Sequence, residues 1–166
     1  MNDYYIKLPR NKVEFVFFMA IVSILSVNII APLISGFETG FSLEMWGSVY
    51  TILPFVWFAV IFAVLATYKP ASWLCNKIIK PEDSFKAHML ANTLCTVFLM
   101  SIFLTVVCTW IGSWQFSWDA LTNFFYRWPR NFAIAFFVEF IIAQPFARFC
   151  LYRLHIANDK KSQKLN

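Results

Sequence analysis

The stretch WPRNFAIAFFVEFIIAQPFARF, residues 128–149, decides the fold class of this chain. Its interior is almost entirely apolar, and it is as long as the about 20 residues that a membrane-spanning helix needs. One acid, Glu139, stands near its middle. We therefore predict a transmembrane helix that carries a single carboxylic acid in its interior.

Three other stretches have the same length and composition. We predict spans over residues 13–33, 46–67, 87–111 and 128–149. The chain is 60% hydrophobic and 14% charged, so it has too little polar surface for a soluble globule. The expected fold class is an all-α membrane protein, with residues 1–166 forming a single transmembrane domain of four helices.

The basic residues are distributed unevenly along the chain. Of the 14 Lys and Arg, 12 lie before the first span, between the second and third spans, or at the C-terminal end. The positive-inside rule then predicts that both termini and the middle loop are cytoplasmic, with residues 156–166 as a polar cytoplasmic tail. We interpret the net charge of +5 as an attraction to the anionic headgroups of the lipid bilayer, which is the expected partner. We expect no binding of nucleic acid.

An internal repeat becomes visible when the sequence is shifted by 75 residues. FSLE at residues 41–44 then aligns with FSWD at residues 116–119, and several single residues match in the same register. The aligned pairs are Pro54 with Pro129, Pro70 with Pro145, and Cys75 with Cys150. We predict two repeated helical hairpins, residues 9–80 and 84–155, with the same orientation in the membrane.

Each repeat contains signals for the start and the shape of its second helix. Ser42 precedes Glu44 by two residues, and Ser117 precedes Asp119 in the same way. A Ser at the N-cap and an acid in the first turn both stabilise a helix start, so we predict that the second helices begin there. The paired prolines predict kinks in these helices, at Pro54, Pro70, Pro129 and Pro145.

The opening LPRNKVEFVFFM, the ending NFAIAFFVEFIIAQPFAR and the duplication resemble a family of small bacterial membrane proteins, domain of unknown function 2798. The resemblance covers nearly the whole chain through the two copies. The second copy matches better, having AQPFAR where the first has YKPASW. The resemblance implies a multi-pass protein of the bacterial inner membrane. The family carries no established activity or catalytic residues, so no site is transferred.

Glu139 is the sharpest functional signal in the sequence. A charge at the centre of a bilayer costs roughly 2.5–3.5 kcal/mol on insertion scales, so its neighbourhood must offset that cost. Ala135, Glu139 and Ala143 share one helical face, and small residues usually face another helix. We predict that Glu139 points inward. It then serves a proton-coupled carrier site or, alternatively, a structural hydrogen bond between helices.

The third span carries a polar stripe at positions i, i+4 and i+7, formed by His88, Asn92 and Cys95. Counting about 1.5 Å per residue places Cys95 and Thr96 near the depth of Glu139, and Asn92 near that of Gln144. His88 also fits an interfacial position beside the lysine-rich loop. The predicted proton- or substrate-binding residues are Glu139, Asn92, Thr96, Gln144 and His88.

Other polar residues have simpler interpretations. Arg127 and Arg130 are the only basic residues on the predicted outer side. They are candidates for an outer anion contact, with snorkelling to lipid headgroups as the alternative. Ser23, Ser26 and Asn28 on the first span are assigned to hydrogen bonds between helices.

The sequence leaves two functions open and predicts no enzyme. HExxH, GxSxG, CxxC and glycine-rich phosphate motifs are absent, and we expect no cofactor and no metal site. The leading hypothesis is a small proton- or cation-linked transport or efflux component, working as a homodimer, with a cavity lined by the third and fourth spans. The alternative is a non-transporting interaction protein, such as an accessory subunit, immunity factor or stress-linked scaffold. Its small-residue faces would bind another membrane protein, through Ala59 and Ala63 or Ala143 and Ala147.

Overall fold

A computed structural model describes residues 9, 11–80 and 82–163, and no strand occurs among them. Helix α1 spans Lys12–Thr39, α2 spans Leu43–Ile78 and α3 spans Phe85–Ser113. A short helix α4, Asp119–Thr122, precedes a fourth long run. That run consists of α5 (Phe124–Phe137), a π-helical segment (Val138–Ala143) and α6 (Gln144–Gln163). Lys7, Arg10 and Lys164, which contribute to the predicted charge asymmetry, lie outside the described residues.

Four helical runs in the described part of the chain are long and apolar enough to cross a membrane. They are Lys12–Thr39, Leu43–Ile78, Phe85–Ser113 and Phe124–Ala157. Large apolar side chains cover their outer surface, as Phe58 and Leu65 illustrate with 74% and 73% exposure. The predicted all-α class with four membrane helices is therefore confirmed, and the architecture fits a multi-pass membrane protein.

The helices extend beyond the predicted spans. Helix α2 continues from the predicted limit at residue 67 to Ile78. Its last turns remain helical because Cys75 is buried against Ala91 and Cys95 of α3. The final helix likewise reaches Gln163, so much of the predicted polar tail is helical.

Only one of the two predicted serine caps forms. The Ser42 hydroxyl accepts a hydrogen bond from the Met45 amide at 3.1 Å, so α2 begins as predicted. The prediction for Ser117 is wrong, because α4 begins after Trp118 without a side-chain cap. The Ser117 carbonyl instead accepts a bond from Trp110 Nε1 at 3.0 Å, which ties the loop back to α3.

The four long runs form a closed ring. Helix α1 packs against α2 and against the fourth run, while α3 packs against α2 and α5. Because consecutive runs are antiparallel, the loops at residues 40–42 and 114–118 lie at one end, here called the hairpin end. The end of α2, the start of α3, the start of α1 and the end of α6 lie at the other, here called the terminal end.

The π-helical segment lies directly before Pro145. Proline has no amide hydrogen and its ring clashes with the carbonyl four residues earlier, so a regular α-helix cannot continue through this turn without adjustment. The Gln144 amide donates to the Glu139 carbonyl, which is the wider i to i−5 pattern. Single π turns inside helices occur frequently at functional sites. Here the π turn contains Glu139.

Candidate functional site

A central cavity of about 720 Å³ lies between all four helical runs. It extends from the middle of the bundle to the hairpin end, where Ser42 and Ser117 of the two loops line it. Its deepest layer holds one residue from each run: Ser26, Val60, Val97 and Glu139. The predicted cavity between the third and fourth spans is therefore larger than expected, because α1 and α2 supply half of its wall.

Glu139 lies in this deepest layer and points into the bundle. Its Oε1 accepts a hydrogen bond of 2.6 Å from the Ser26 hydroxyl of α1. Oε2 has no hydrogen-bond partner among the described residues. The acid therefore has one oxygen bound to protein and one on the side of the cavity. This inward orientation is what the small-residue face predicts.

The fourth run presents two adjacent faces of different chemistry. Arg127, Asn131, Ala135 and Glu139 recur every four residues and line the cavity. The neighbouring face carries a ladder of stacked rings with centroids 5.8–6.1 Å apart, formed by Phe124, Trp128, Phe132, Phe136 and Phe140. Phe98 of α3 packs edge-on against Trp128 and Phe132. The ladder holds α5 against α3 and thereby fixes which face meets the cavity.

Hydroxyl groups of α3 form the adjacent wall of the cavity. Ser101, Thr105 and Thr109 follow at spacing four, and all three line the cavity. Trp128 Nε1 donates to Ser101 at 2.9 Å, and Asn131 Nδ2 lies 3.5 Å from the Thr105 hydroxyl. Asn131 is 5% exposed and was not a predicted site residue. Its signal in the sequence is the four-residue spacing from Arg127 to Glu139.

Both predicted anion-contact arginines are already paired with acids. Arg127 binds Asp119 at 2.8 Å, and Arg130 binds Glu38 of α1 at the same distance. Each positive charge is therefore neutralised at the hairpin end. For the predicted outer anion contact to form, an anion would have to displace a carboxylate from each guanidinium group.

Three predicted proton- or substrate-binding residues do not line the cavity. Asn92 is exposed, and Thr96 and His88 are half-buried without lining the cavity. Cys95, at the predicted depth, is buried against Cys75 and Ala91. Counting residues along a helix estimates depth but not rotation about the helix axis, and the rotation of α3 turns these side chains elsewhere.

Gln144 belongs to a separate polar cluster on the terminal side of Glu139. Its Nε2 donates to the Thr93 hydroxyl at 2.8 Å, so Thr93 and not Asn92 is its partner on α3. Arg148 Nη2 lies 3.4 Å from Gln144 Oε1, and its guanidinium lies over the rings of Phe18 and Phe85. Val22, Ala143 and Ala147 form a buried apolar layer on the same terminal side of Glu139.

A further polar pair joins the first and last helices near the terminal end. His155 Nε2 and Glu14 Oε2 are 2.9 Å apart, and His155 is only 1% exposed. The sequence analysis did not single out His155, because it follows the predicted fourth span. Its interaction with α1 shows that interhelical packing continues beyond that predicted boundary.

Comparison with protein families identifies one match. Residues 85–155 match the family described as Domain of unknown function (DUF2798), which confirms the resemblance over this stretch. The matched residues run from the start of α3 into α6 and include Glu139. They nearly coincide with the predicted second repeat. No curated protein and no solved structure shows a significant match to the chain.

Proposed function

We propose that this protein is a small transport component of the bacterial inner membrane, in which Glu139 binds a proton or another cation. The observation that carries the proposal is the position of Glu139 at the inner end of the central cavity. Its bond to Ser26 holds the carboxyl in place, while its second oxygen lies on the side of the cavity. An ionisable residue inside a membrane bundle is a functional candidate by default, because its insertion is unfavourable.

The cavity accounts for how such an acid is tolerated and used. Hydroxyl groups from Ser26 to Ser113 provide hydrogen-bonding sites for water along the wall. Water reaching Glu139 would lower the cost of its charge and carry a proton or cation to it. The carboxyl is then able to exchange protons with one side of the membrane.

Transport also needs access from the other side. The apolar layer of Val22, Ala143 and Ala147 closes the cavity toward the terminal end. Ala143 ends the π-helical segment and Pro145 follows it, so the regular α-helical hydrogen-bond pattern is interrupted in this part of the fourth run. We assign the opening motion to this point. We also assign kinks to Pro54, Pro70 and Pro129, which would serve the same motion in both proposed repeats.

The proposed orientation places the hairpin end outside and both termini in the cytoplasm. Basic residues favour this arrangement, since Lys69, Lys77, Lys80 and Lys86 all precede or begin α3 at the terminal end. Under it, the cavity faces the outside. The two repeats would be related by an axis along the membrane normal, with each hairpin forming one half of the ring.

The burial of three alanines argues against the docking faces of the competing interaction-protein hypothesis, while Ala59 stays half-buried. Ala63, Ala143 and Ala147 are 0% exposed within one chain, so they are occupied by contacts inside the bundle. The cavity is also formed by a single chain. A homodimer remains compatible with the proposal, but the proposed pathway does not require one.

Flux through reconstituted protein tests the proposal. Purified wild type, Glu139→Gln and Glu82→Gln would be placed in liposomes that contain a pH-sensitive dye, and proton movement would be followed after a pH jump with and without added cations. Glu82 is an exposed loop residue outside the cavity, so its variant is the matched control. We expect flux in wild type and in Glu82→Gln, and at least a tenfold loss in Glu139→Gln.

Two results would reject the proposal. Equal flux in wild type and Glu139→Gln would remove Glu139 from the pathway. Flux no higher than in protein-free liposomes, for protons and every added cation, would remove transport itself. Thermal unfolding of each variant in detergent verifies that a loss of flux does not come from a loss of fold.

A further inference from the structure

The hydroxyl groups of the cavity wall are oriented in a way that selects a ligand class. Thr39, Ser48, Thr109 and Ser113 each donate to a backbone carbonyl of their own helix, at 2.8–3.0 Å. A carbonyl oxygen has no proton, so the hydroxyl must be the donor in each of these bonds. All four residues line the cavity. Their remaining capacity toward the cavity is therefore that of acceptors.

The charged groups of the wall likewise favour a ligand that donates hydrogen bonds. Glu44 and Glu139 line the cavity and form no ion pair among the described residues. Arg127 is the one basic residue in the lining of the described chain, and Asp119 neutralises it. The wall thus combines unpaired acids with hydroxyl acceptors. Such a surface matches a cation that carries N–H donors, and it repels anions.

The apolar part of the wall limits the class of ligand further. Aliphatic side chains such as Ile30, Ile52 and Leu104 cover the middle of the cavity, and no aromatic residue lines it among those that the structure describes. This is notable in a chain that is 20% aromatic. Quaternary ammonium groups are typically bound by aromatic cages, which are missing from the wall. A volume of about 720 Å³ is within the range of small-molecule sites, roughly 300–1,000 Å³.

We infer that the cavity binds a protonated aliphatic amine, with its ammonium group on Glu139 and its alkyl part against the aliphatic wall. An ammonium group supplies several N–H donors and no acceptor, the complement of this wall. The free Oε2 of Glu139 is its contact at the inner end. This inference rests on the proposed function of the same cavity and names its substrate class.

Equilibrium binding of three matched probes tests the inference. Wild-type protein in lipid nanodiscs would be titrated with radiolabelled butylammonium, and unlabelled butyltrimethylammonium and pentanoate would compete. Butyltrimethylammonium keeps the charge and the chain but has no N–H donor. We expect saturable butylammonium binding. Butyltrimethylammonium should compete at least tenfold more weakly than unlabelled butylammonium, and pentanoate should not compete.

Variants locate the binding in the cavity. Glu139→Gln should weaken butylammonium binding at least tenfold, and Glu82→Gln should leave it unchanged. Thr109→Val removes one acceptor from the wall and should weaken binding about threefold, which gives a second readout if Glu139→Gln folds poorly. Equal competition by both cations, binding that persists in both cavity variants, or no butylammonium binding would each overturn the inference.

The outcome is separable from that of the flux experiment. Amine binding without any flux would support the inferred ligand class and reject the proposed transport. Proton flux through Glu139 without amine binding would keep transport and reject the ligand class.

Discussion

The two ends of the bundle are built from the same four helical runs but pack differently. Toward the terminal end, small residues bring the helices into contact, and the buried alanines there are Ala63, Ala71, Ala91, Ala143 and Ala147. Toward the hairpin end, the runs surround a cavity of about 720 Å³ lined by hydroxyl and aliphatic side chains. Glu139 lies at the boundary between these two regions.

This difference between the two ends shows how side-chain size controls packing in a membrane bundle. Lipid tails are as apolar as Leu, so close helix contact depends on van der Waals packing and interhelical hydrogen bonds. Alanine permits that contact at the terminal end. At the hairpin end, the hydroxyls bond mainly to their own helix carbonyls, so they do not draw neighbouring helices together.

The largest expected effect comes from overpacking one region and not the other. Ala147→Leu inserts a larger side chain where exposure is 0%, against Val22 and Phe18. Overpacking costs about 1–3 kcal/mol, so the free energy of unfolding should fall by that amount. Ala135→Leu adds the same atoms at the cavity wall and should cost less. Denaturation with SDS in mixed micelles measures both, and equal losses would contradict the packing difference.

A smaller effect is expected from one interhelical hydrogen bond. Thr93 and Thr109 both donate to the carbonyl four residues earlier, but only Thr93 also accepts a bond from Gln144 on another helix. Thr93→Val should therefore destabilise by about 0.6–1.7 kcal/mol, and Thr109→Val by less. The same SDS titration compares them. A larger loss for Thr109→Val would reverse our assignment of the tight region.

The smallest effect is expected at the rim of the hairpin end. Arg130 and Glu38 join α5 to α1, and their side chains are 31% and 27% exposed. Partly exposed ion pairs contribute about 0.2–1 kcal/mol. A double-mutant cycle with Arg130→Gln and Glu38→Gln should give a coupling energy in that range, and one that falls as salt is added. Coupling well above it would mean that this rim, and not the alanine layer, holds the ring closed.

Predictability differed between the fold and the candidate site. Apolar length is a local property, so the four spans were predictable, and Ser42 was a correct cap because its partner is three residues away. The Ser117 cap failed because a tertiary contact with Trp110 competes for that loop. The Glu139 orientation was predictable from Ala135 and Ala143 on the same face, which is again local information.

The neighbours of Glu139 were not predictable in the same way. Depth along α3 favoured Cys95 and Thr96, but the oxygen that binds Glu139 belongs to Ser26 of α1. Which helices become neighbours, and how each is rotated, depends on the packing of the whole ring. The π-helical segment was also missed, although Pro145 indicates that the regular hydrogen-bond pattern is interrupted in the preceding turn.

By itself, the sequence determined that this chain forms four apolar helices and carries one acid that hydrocarbon disfavours, because hydropathy and helical spacing are properties of neighbouring residues. Only the tertiary structure decided that Ser26 meets Glu139 and that a hydroxyl-lined cavity leads to them. The physical reason is that contacts between helices distant in sequence depend on how all four runs pack at once. Side-chain volumes around the ring set that packing.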